Sequence, residues 1–238
     1  MFDKFIECIV NIMYPKKCVI CNEIIEYKNS KDYVCLKCRE NIPFISGNVC
    51  KKCGKPIEYG EICSRCMETA FAFDFGFSPF EYEIVRKSIF RLKYKGVKKD
   101  GKAMGELMSL FVREKYNDVI KNIDIIVPVP IHQKKLKKRE FNQADIIGKR
   151  IAENFNIVYK ADLIKRIRNT VPQNSLEHKE RKENIKDAFV ITDKEFIKDK
   201  TIMIVDDIFT TGSTINECSR LLIMNGAKNV IFYTFSIT

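Results

Sequence analysis

The sequence predicts an α/β protein with a mostly parallel sheet, preceded by a small cysteine-rich module. Eight of the ten cysteines fall between residues 18 and 66. Three apolar segments follow, with helical patterns between them: Ile123–Val129, Thr201–Val205 and Val230–Ser236. Strands that are apolar throughout are typical of a parallel sheet covered on both faces. We therefore expect a module over residues 1–72 and an α/β domain over residues 73–238.

The composition is that of a folded protein with a highly charged surface. Hydrophobic residues make up 45% of the 238 residues and charged residues 31%, which supplies a core and argues against a membrane-embedded protein. The formal net charge is +11, and residues 73–238 hold 31 basic and 22 acidic side chains of the total. This excess indicates a negatively charged partner or, alternatively, lysines spread over a solvated surface.

Residues 1–15 predict an amphipathic helix that docks on the protein. Six apolar side chains fall on one face at helical spacing, and Pro15 ends the pattern. Asp3 and Glu7 interrupt the apolar run and no small-residue cleavage site follows, so we prefer a docking helix to a targeting segment. No apolar stretch approaches the roughly 20 residues of a membrane span. The expected location is the cytoplasm, including the inner face of the membrane.

The clustered cysteines form four CxxC pairs, a spacing at which two thiolates from one tight turn reach the same metal ion. The pairs are Cys18/Cys21, Cys35/Cys38, Cys50/Cys53 and Cys63/Cys66. Two pairs complete a tetrahedral site, so the sequence predicts two zinc ions in closed, structural sites. The alternative of a disulfide framework needs a secreted protein, and a redox CxxC would stand as a single pair at a helix start.

The order of the pairs favours two consecutive zinc sites. Residues 18–39 and 50–67 look alike, because each has a CxxC pair, a polar hairpin-like stretch and a second CxxC pair. This internal repeat favours joining the first two pairs in one site and the last two in the other, with a cross-braced arrangement as the alternative. Cys8 and Cys218 stand alone in helical patterns, where we expect buried apolar side chains.

The elements of the α/β domain follow in order. Residues 71–82 alternate aromatic with small or polar residues, as a strand does. Strand and helix then alternate along the chain, which implies right-handed crossovers and a ligand site beyond the carboxyl ends of the strands. We therefore expect chemistry in the loops after Val129 and Val205. Helical spacing covers residues 83–95, 102–116, 141–155 and 214–224.

The segment Ile202–Thr214 carries the most specific functional pattern. Asp206 and Asp207 follow an apolar strand, and a hydroxyl-rich loop then enters a helix. The N–H groups and dipole at a helix N-terminus suit phosphate, and paired carboxylates accept hydrogen bonds from sugar hydroxyls or help to hold Mg²⁺. The loop alone would fit a capped helix, but strand, acid pair and loop together indicate a sugar-phosphate site. The loop residues are Thr210, Thr211, Gly212, Ser213 and Thr214.

Two basic stretches suggest a second kind of ligand. Residues 86–102 hold eight Lys or Arg against one acid, with Phe90 and Tyr94 interleaved, and residues 134–139 add five positive charges. Positive charges for phosphates and rings for base stacking are what a single nucleic-acid strand requires. The alternative is a solvated helix face whose aromatic side chains are buried.

The strand, acid pair and TTGST loop resemble the signature of type I phosphoribosyltransferases, which bind 5-phosphoribosyl 1-pyrophosphate (PRPP). The resemblance implies a sheet of that kind. It assigns the ribose to Asp206 and Asp207 as the catalytic residues and the 5′-phosphate to residues 210–214, with Mg²⁺ accompanying PRPP. It places the pyrophosphate loop in the segment VPVPIHQ, at Pro130 and Ile131. From the sequence, His132 in this loop is expected to be a polar surface residue.

Nearly the whole chain is similar to the ComF family of competence-associated proteins. The similarity includes the four CxxC pairs, KYKG at 93–96, VPVP, REFNQA at 139–144, RNTVPQNSLEHKER at 168–181 and the VDDIFTTGST segment. It implies a double zinc ribbon joined to a phosphoribosyltransferase domain. It also implies cytoplasmic handling of single-stranded DNA in natural transformation, with a competence helicase or the DNA-uptake machinery as partners. Glu140 departs from the family, which usually has Gly there.

Residues 168–184 fit either a hood that closes over substrate and excludes water or a plain connecting loop. Two other functions stay open beside the ComF-type one. A nucleobase-salvage phosphoribosyltransferase needs neither a zinc module nor basic stretches, and a nonenzymatic DNA-binding adaptor does not need the acid pair. The motifs leave the acceptor and turnover unsettled. Contacts from the hood or to nucleic acid are expected of Lys93, Lys95, Arg139, Asn142, Gln143, Thr170, Gln173 and Arg181.

Overall fold

A computed structural model describes residues 15–25, 33–169 and 185–238 of the chain. Its strands are β1 (Phe75–Phe77), β2 (Phe80–Glu81), β3 (Ile125–Pro128), β4 (Val158–Tyr159), β5 (Ile164–Arg166), β6 (Phe189–Ile191), β7 (Thr201–Phe209) and β8 (Asn229–Ile237). Its helices are Leu36–Glu40, Ser64–Glu68, Tyr82–Lys95, Lys98–Lys115, Asn117–Lys121, Gln133–Arg139, Gln143–Phe155, Lys194–Ile197 and Ser213–Met224.

The main sheet has the order β1-β8-β7-β3-β4, and β2 also pairs with β8. Every pairing in this sheet is parallel, so the predicted mostly parallel sheet is confirmed. Strands β5 and β6 form a separate antiparallel pair. The two longest strands, β7 and β8, lie side by side at the centre, so the carboxyl end of β7 has a neighbouring strand along its whole length.

Strand β7 is longer than the predicted Thr201–Val205. It continues to Phe209 because β8 pairs with it to the end, with Asp206 opposite Thr234 and Phe209 opposite Ile237. Asp206 and Asp207 therefore lie within β7, near its carboxyl end, and not beyond the strand. The predicted strand over residues 71–82 is instead divided into β1 and β2, and Pro79, which cannot donate a ladder hydrogen bond, lies between them.

The helix predicted over residues 102–116 begins earlier, at Lys98. Gly101 lies in its first turns, where a glycine weakens the helical pattern in the sequence. The structure gives a packing reason for it, since a Cβ at Gly101 would lie 2.9 Å from Ile146 of helix Gln143–Phe155. The missing side chain lets the two helices approach closely.

Helix Gln133–Arg139 was not expected, because the sequence KKLKKR has no apolar stripe to reveal a helical period. His132 caps it, with Nδ1 accepting a hydrogen bond from the Lys134 N–H at 3.2 Å. Glu140 ends it in the left-handed region, at φ 65°. A left-handed residue after a helix favours glycine, which explains why Gly suits this position in the ComF family.

Residues of the cysteine-rich segment are part of the hydrophobic core on each face of the main sheet. On one face, Cys18 and Cys38 pack in a cluster with Met203 and Val205 of β7. On the other face, Cys50 and Cys53 pack in a cluster with the alternate residues Ile202 and Ile204 and with Cys218. Cys218 is buried in this core, which confirms its predicted apolar role. The expected boundary between residues 72 and 73 stays a prediction.

Several predictions fall on residues outside those described. They are the N-terminal amphipathic helix with Cys8, most of the 168–184 hood, and Thr170, Gln173 and Arg181. Among residues 15–25, 33–169 and 185–238, no helix has the length and apolar character that a membrane crossing demands.

Candidate functional site

The eight CxxC cysteines gather into two tetrads. Within each tetrad one sulfur atom per residue lies within 4.8 Å of the others. The groups are Cys18, Cys21, Cys35, Cys38 and Cys50, Cys53, Cys63, Cys66, so the predicted consecutive pairing is confirmed and the cross-braced alternative is wrong.

Four thiolates around a point are what a structural zinc ion takes. Backbone N–H groups point at the sulfurs as well, with the Cys63 N–H donating to Cys50 Sγ at 3.3 Å and the Ile20 N–H donating to Cys18 Sγ at 3.4 Å. Burial raises the pKa of the Cys53 thiol to about 12, so without a cation this sulfur would keep its proton. The two tetrads fit two structural zinc sites.

The acid pair lies beside a lysine at the carboxyl end of β7. Lys93, near the end of helix Tyr82–Lys95, places Nζ 2.9 Å from Asp207 Oδ2, and the Asp207 side chain is only 7% exposed. Asp206 Oδ1 accepts the Asp207 backbone N–H at 2.8 Å. The sequence grouped Lys93 with hood or nucleic-acid contacts, but the structure places it on the acid pair.

The three charges influence one another strongly. Burial raises the pKa of Asp206 to about 8, the Asp207 carboxylate adds to that rise, and Lys93 opposes it. Burial alone would lower the pKa of Lys93, but the carboxylate of Asp207 outweighs it and raises the pKa above its ordinary value. At neutral pH the site therefore holds one firm ion pair and one carboxyl group poised to lose its proton.

The loop after β7 turns sharply into helix Ser213–Met224. Gly212 caps this helix at φ 77°, and a Cβ there would lie 2.7 Å from the Phe209 ring and 2.9 Å from the Phe71 ring. Both the backbone conformation and the two rings require glycine. Thr211 Oγ1 lies 2.9 Å from Ser213 Oγ, so neighbouring hydroxyls face each other across the turn.

The acid pair and the loop share one cavity of about 150 Å³. The N-terminus of the twelve-residue helix Ser213–Met224 faces this cavity, with its first N–H groups and the positive end of its dipole. Of the predicted site residues, the structure brings together these on the cavity wall: Lys93, Asp206, Asp207, Thr210, Gly212, Ser213 and Thr214. Thr211 is largely buried next to them.

Further cations influence the charges of the acid pair and of Lys93. Burial lowers the pKa of Lys135, and the nearby charges of Arg166 and Arg139 lower it further. Burial also lowers the pKa of Arg166, while Asp206 among others acts in the opposite direction. Arg139 in turn lies close enough to Lys93 to oppose its protonation. Lys93, Lys135, Arg139 and Arg166 therefore lie close enough to influence one another's charge.

Pro130 and Ile131 lie elsewhere, on the wall of a second and larger cavity of about 660 Å³ that Arg166 also lines. Two nearby predicted site residues have structural contacts. Asn142 caps helix Gln143–Phe155 and its Nδ2 donates to the Val129 carbonyl at 2.9 Å, which holds the end of β3. Gln143 is buried, and its Oε1 accepts from Arg139 Nη1 at 3.3 Å.

A third cavity, of about 380 Å³, lies between the first cysteine tetrad's segment and helix Tyr82–Lys95. The Phe90 and Tyr94 rings contact each other at a tilt of 39°, with centroids 4.9 Å apart, and are 53% and 59% exposed. The alternative in which these aromatic side chains are buried is therefore wrong. We call this cavity the basic groove; it is lined by Lys17, Asn22, Tyr82, Arg86, Lys87, Phe90, Arg91 and Lys95.

Sequence reasoning missed two arginines that the structure brings to the site. Arg166 ends β5 beside the cation cluster, and Arg65, between two cysteine ligands, donates from Nη1 to the Thr210 carbonyl. Neither had a local signal, because each is brought in by chain packing from far along the sequence. Only a structure that joins residues 65 and 210 could reveal the second.

Two known families match this chain. Residues 9–67 match the family described as "Double zinc ribbon domain". Residues 144–236 match the family described as "Phosphoribosyl transferase domain". The second match contains the acid pair, the loop at 210–214 and helix Ser213–Met224.

Curated relatives match most of the chain. Competence protein F of Haemophilus influenzae is 27% identical over 85% of this chain and 96% of its own length. DNA utilization protein YhgH of Escherichia coli K12 is 29% identical over 76% of this chain and 81% of its own. Competence protein ComFC of Bacillus subtilis is 24% identical over 84% of this chain and 82% of its own.

The fold and these matches define a protein that joins an N-terminal double zinc ribbon to a phosphoribosyltransferase domain. As the sequence resemblance indicated, the chain is similar over most of its length to proteins named Competence protein F and Competence protein ComFC. Among solved structures, a purine phosphoribosyltransferase from Pyrococcus horikoshii aligns with 57% of this chain and 86% of that chain at 19% identity, with a TM-score of 0.34. That score is too low to support any inference.

Proposed function

We propose that this protein binds PRPP with Mg²⁺ in the cavity between the acid pair and the loop at 210–214. The observation that carries the proposal is that Asp206, Asp207 and the N-terminus of helix Ser213–Met224 line the same cavity. Carboxylates suit the ribose hydroxyls, and the helix N-terminus suits the 5′-phosphate. The cations Lys93, Lys135, Arg139 and Arg166 then suit the pyrophosphate, since they already repel one another without an anion.

The reaction we propose is displacement at the anomeric carbon of PRPP. The bond from that carbon to a pyrophosphate oxygen breaks and a bond to the acceptor's nucleophile forms, with pyrophosphate leaving on the cationic side. Mg²⁺ supplies charge neutralisation to the pyrophosphate. As the bond breaks, positive charge develops on the ribose, and the ionised Asp207 stabilises it. The acceptor supplies its own nucleophile, and its identity stays open.

The binding proposal is tested by calorimetry of the full chain with PRPP and MgCl₂. We expect saturable binding, and a loss of about tenfold in Lys93→Gln, because a charge-assisted hydrogen bond contributes about 1.5 kcal/mol or more. Pyrophosphate and ribose 5-phosphate titrated separately should each bind more weakly than PRPP. Lys115→Gln, an exposed lysine outside the cavity, is the matched control. No heat of PRPP binding up to millimolar concentration would contradict the proposal.

A second function, binding of single-stranded DNA, is supported by the basic groove. Arg86, Lys87 and Lys95 line it together with Phe90, and Arg139 lies over the Tyr94 ring at 5.5 Å. Exposed aromatic rings flanked by cations supply base stacking and phosphate contacts without sequence preference. This surface has no use in nucleobase salvage, so it favours a ComF-type function over a salvage enzyme.

The groove is tested by fluorescence anisotropy with a labelled oligonucleotide across salt concentrations. Arg86→Glu with Lys87→Glu should weaken binding and flatten the salt dependence, by about 0.7 in the log–log slope per lost contact. Phe90→Ala should cost about tenfold with the slope unchanged, since base stacking contributes 1–3 kcal/mol and carries no charge. Lys115→Glu with Lys121→Glu matches the charge change outside the groove. Equal losses in this control would contradict a specific groove.

The two sites together support a role in competence. Relatives that match most of this chain include those named Competence protein F and Competence protein ComFC, so we propose that this chain handles incoming single-stranded DNA in natural transformation. None of the eight tetrad cysteines forms a disulfide, which favours a reducing compartment, and we place the protein in the cytoplasm. We also propose the domain boundary near residue 72. A competence helicase or the uptake machinery remains the partner that the family resemblance implies.

A further inference from the structure

Contacts from the second cysteine tetrad reach the loop at 210–214. Arg65 is half-buried between Cys63 and Cys66, and its Nη1 donates to the backbone carbonyl of Thr210. Thr210 is the first residue after β7 and the point where the loop leaves the sheet. A guanidinium on this carbonyl fixes the direction in which the chain turns.

Two more contacts hold the same turn from the same segment. The Ala72 N–H donates to Asn216 Oδ1, in the first turn of helix Ser213–Met224, at 2.7 Å. The Phe71 ring lies against Gly212, where a Cβ would come within 2.9 Å of it. Residues 65–72 therefore contact the start of the loop, its glycine and the helix that follows. The loop has the sheet on one side and this segment on the other.

The position of Arg65 depends on the metal ligands beside it. Helix Ser64–Glu68 has only five residues and its N-cap, Cys63, makes no side-chain cap hydrogen bond. A helix this short has no stability of its own in water. Cys63, the N-cap, and Cys66, in the middle of the helix, belong to the second tetrad, so a zinc ion bound there would tie the helix down and present Arg65 to Thr210.

We propose that Arg65 is a positioning residue for the loop at 210–214, through which the second zinc ribbon sets the affinity of this loop for a phosphate group. The inference rests on the proposed PRPP site. It extends the function of the second ribbon beyond its own folding, since the metal holds the helix, the helix holds Arg65, and Arg65 holds the first carbonyl of the loop. A loop held in its binding geometry has less conformational entropy to lose when the ligand arrives.

The test compares Arg65→Met and Arg65→Lys with Lys37→Met in the full zinc-loaded chain. Lys37 holds the same place in the first ribbon, between Cys35 and Cys38, and is exposed. Three quantities are measured: PRPP affinity by calorimetry, zinc per chain by metal analysis, and amide hydrogen exchange of residues 210–214. The metal analysis shows whether any change arises from Arg65 itself or from loss of the metal.

We expect Arg65→Met to lower PRPP affinity about tenfold, a factor within reach of one charge-assisted hydrogen bond. Exchange at residues 210–214 should speed up while zinc content stays at the wild-type value. Arg65→Lys should recover part of both, and Lys37→Met should change neither. Wild-type affinity and exchange in Arg65→Met would overturn the inference. If the wild-type chain does not bind PRPP, the proposed function fails, but the exchange rates still decide whether Arg65 holds the loop.

Discussion

Replacing the two acids of the pair one at a time should change the free energy of unfolding in opposite directions, while either replacement weakens PRPP binding. At pH 8 and above, the free energy of unfolding of Asp206→Asn should be higher than that of wild type, and that of Asp207→Asn should be lower. Asn is close in shape to Asp, so the difference reports charge. PRPP affinity should fall about tenfold to hundredfold in either variant, because a charge-assisted hydrogen bond contributes about 1.5–3 kcal/mol.

The sign for Asp206 follows from its raised pKa. The native carboxyl has a pKa of about 8, against 3.8 ordinarily, so between these values the native state keeps a proton that the unfolded chain has lost. Stability contributed by this group therefore falls as pH rises from about 4 to 8 and stays low above that. Asp206→Asn removes the penalty, so its advantage over wild type should exceed about 1 kcal/mol at pH 8 and vanish near pH 4.

The sign for Asp207 follows from its ion pair. Lys93 Nζ lies 2.9 Å from Asp207 Oδ2, and the lysine side chain is 22% exposed. Removing the carboxylate leaves a largely buried ammonium without its opposite charge, which should cost about 1–3 kcal/mol. Denaturant titrations at pH 5, 7 and 9 would give all the free energies of unfolding. Asp118→Asn, whose side chain is 98% exposed, should change neither stability nor binding.

Binding should also depend on pH if Asp206 binds the ribose as a carboxylate. Because its pKa is about 8, most of the unliganded protein carries a proton there at pH 7. PRPP affinity should then rise from pH 6.5 to 9, with proton release on binding near neutral pH. A PRPP affinity within twofold of wild type in Asp206→Asn would contradict the site assignment, as would stability changes of the same sign for the two acids.

The sequence could predict those parts of the site that are adjacent along the chain. The acids and the loop at 210–214 belong to one strand, one turn and one helix, and the CxxC spacing places thiols within reach of one metal. Contacts between residues that only tertiary packing brings together could not be predicted. Lys93 comes to Asp207 from another helix, Arg65 comes to Thr210 from the second ribbon, and Arg166 comes from β5.

The fold shows the same division. Apolar strands and amphipathic helices were predicted because an element that buries one or both of its faces has a recognisable pattern of apolar residues in the sequence. Helix Gln133–Arg139 buries no side chain and so leaves no such period. The extension of β7 to Phe209 depends on pairing with β8, which is a fact about a neighbour and not about the strand's own residues.

Loss of the second zinc site should destabilise the whole domain and not only the ribbon. Cys53→Ser removes one of four ligands, and the remaining three thiols cannot close the site. Cys50 and Cys53 are buried in the same cluster as Ile202, Ile204 and Phe232 of the sheet, so a ribbon that unfolds exposes part of that core. Metal analysis should find zinc falling from two per chain to one.

The expected size is several kcal/mol, because metal binding in a zinc ribbon is itself folding free energy, on the order of 10 kcal/mol in isolated zinc peptides. For a chain of this length each kcal/mol shifts the melting temperature by about 2–4 °C, so Cys53→Ser should melt roughly 10 °C or more below wild type. Cys218→Ser is the matched control, since Cys218 is buried in the same cluster but lies outside both tetrads.

This control should keep two zinc ions and lose only about 1–2 kcal/mol, the cost of a polar hydroxyl in an apolar site. Chelation of the wild-type chain should then reproduce the Cys53→Ser melting temperature or a lower one, because it empties both sites. The prediction would be contradicted if Cys53→Ser kept two zinc ions. It would also be contradicted if the variant lost one zinc ion but kept the melting temperature of wild type, since the tetrad would then not stabilise the core. Because Phe71 and Phe73 link this cluster to the loop glycine and to Phe209, the same variant should also weaken PRPP binding.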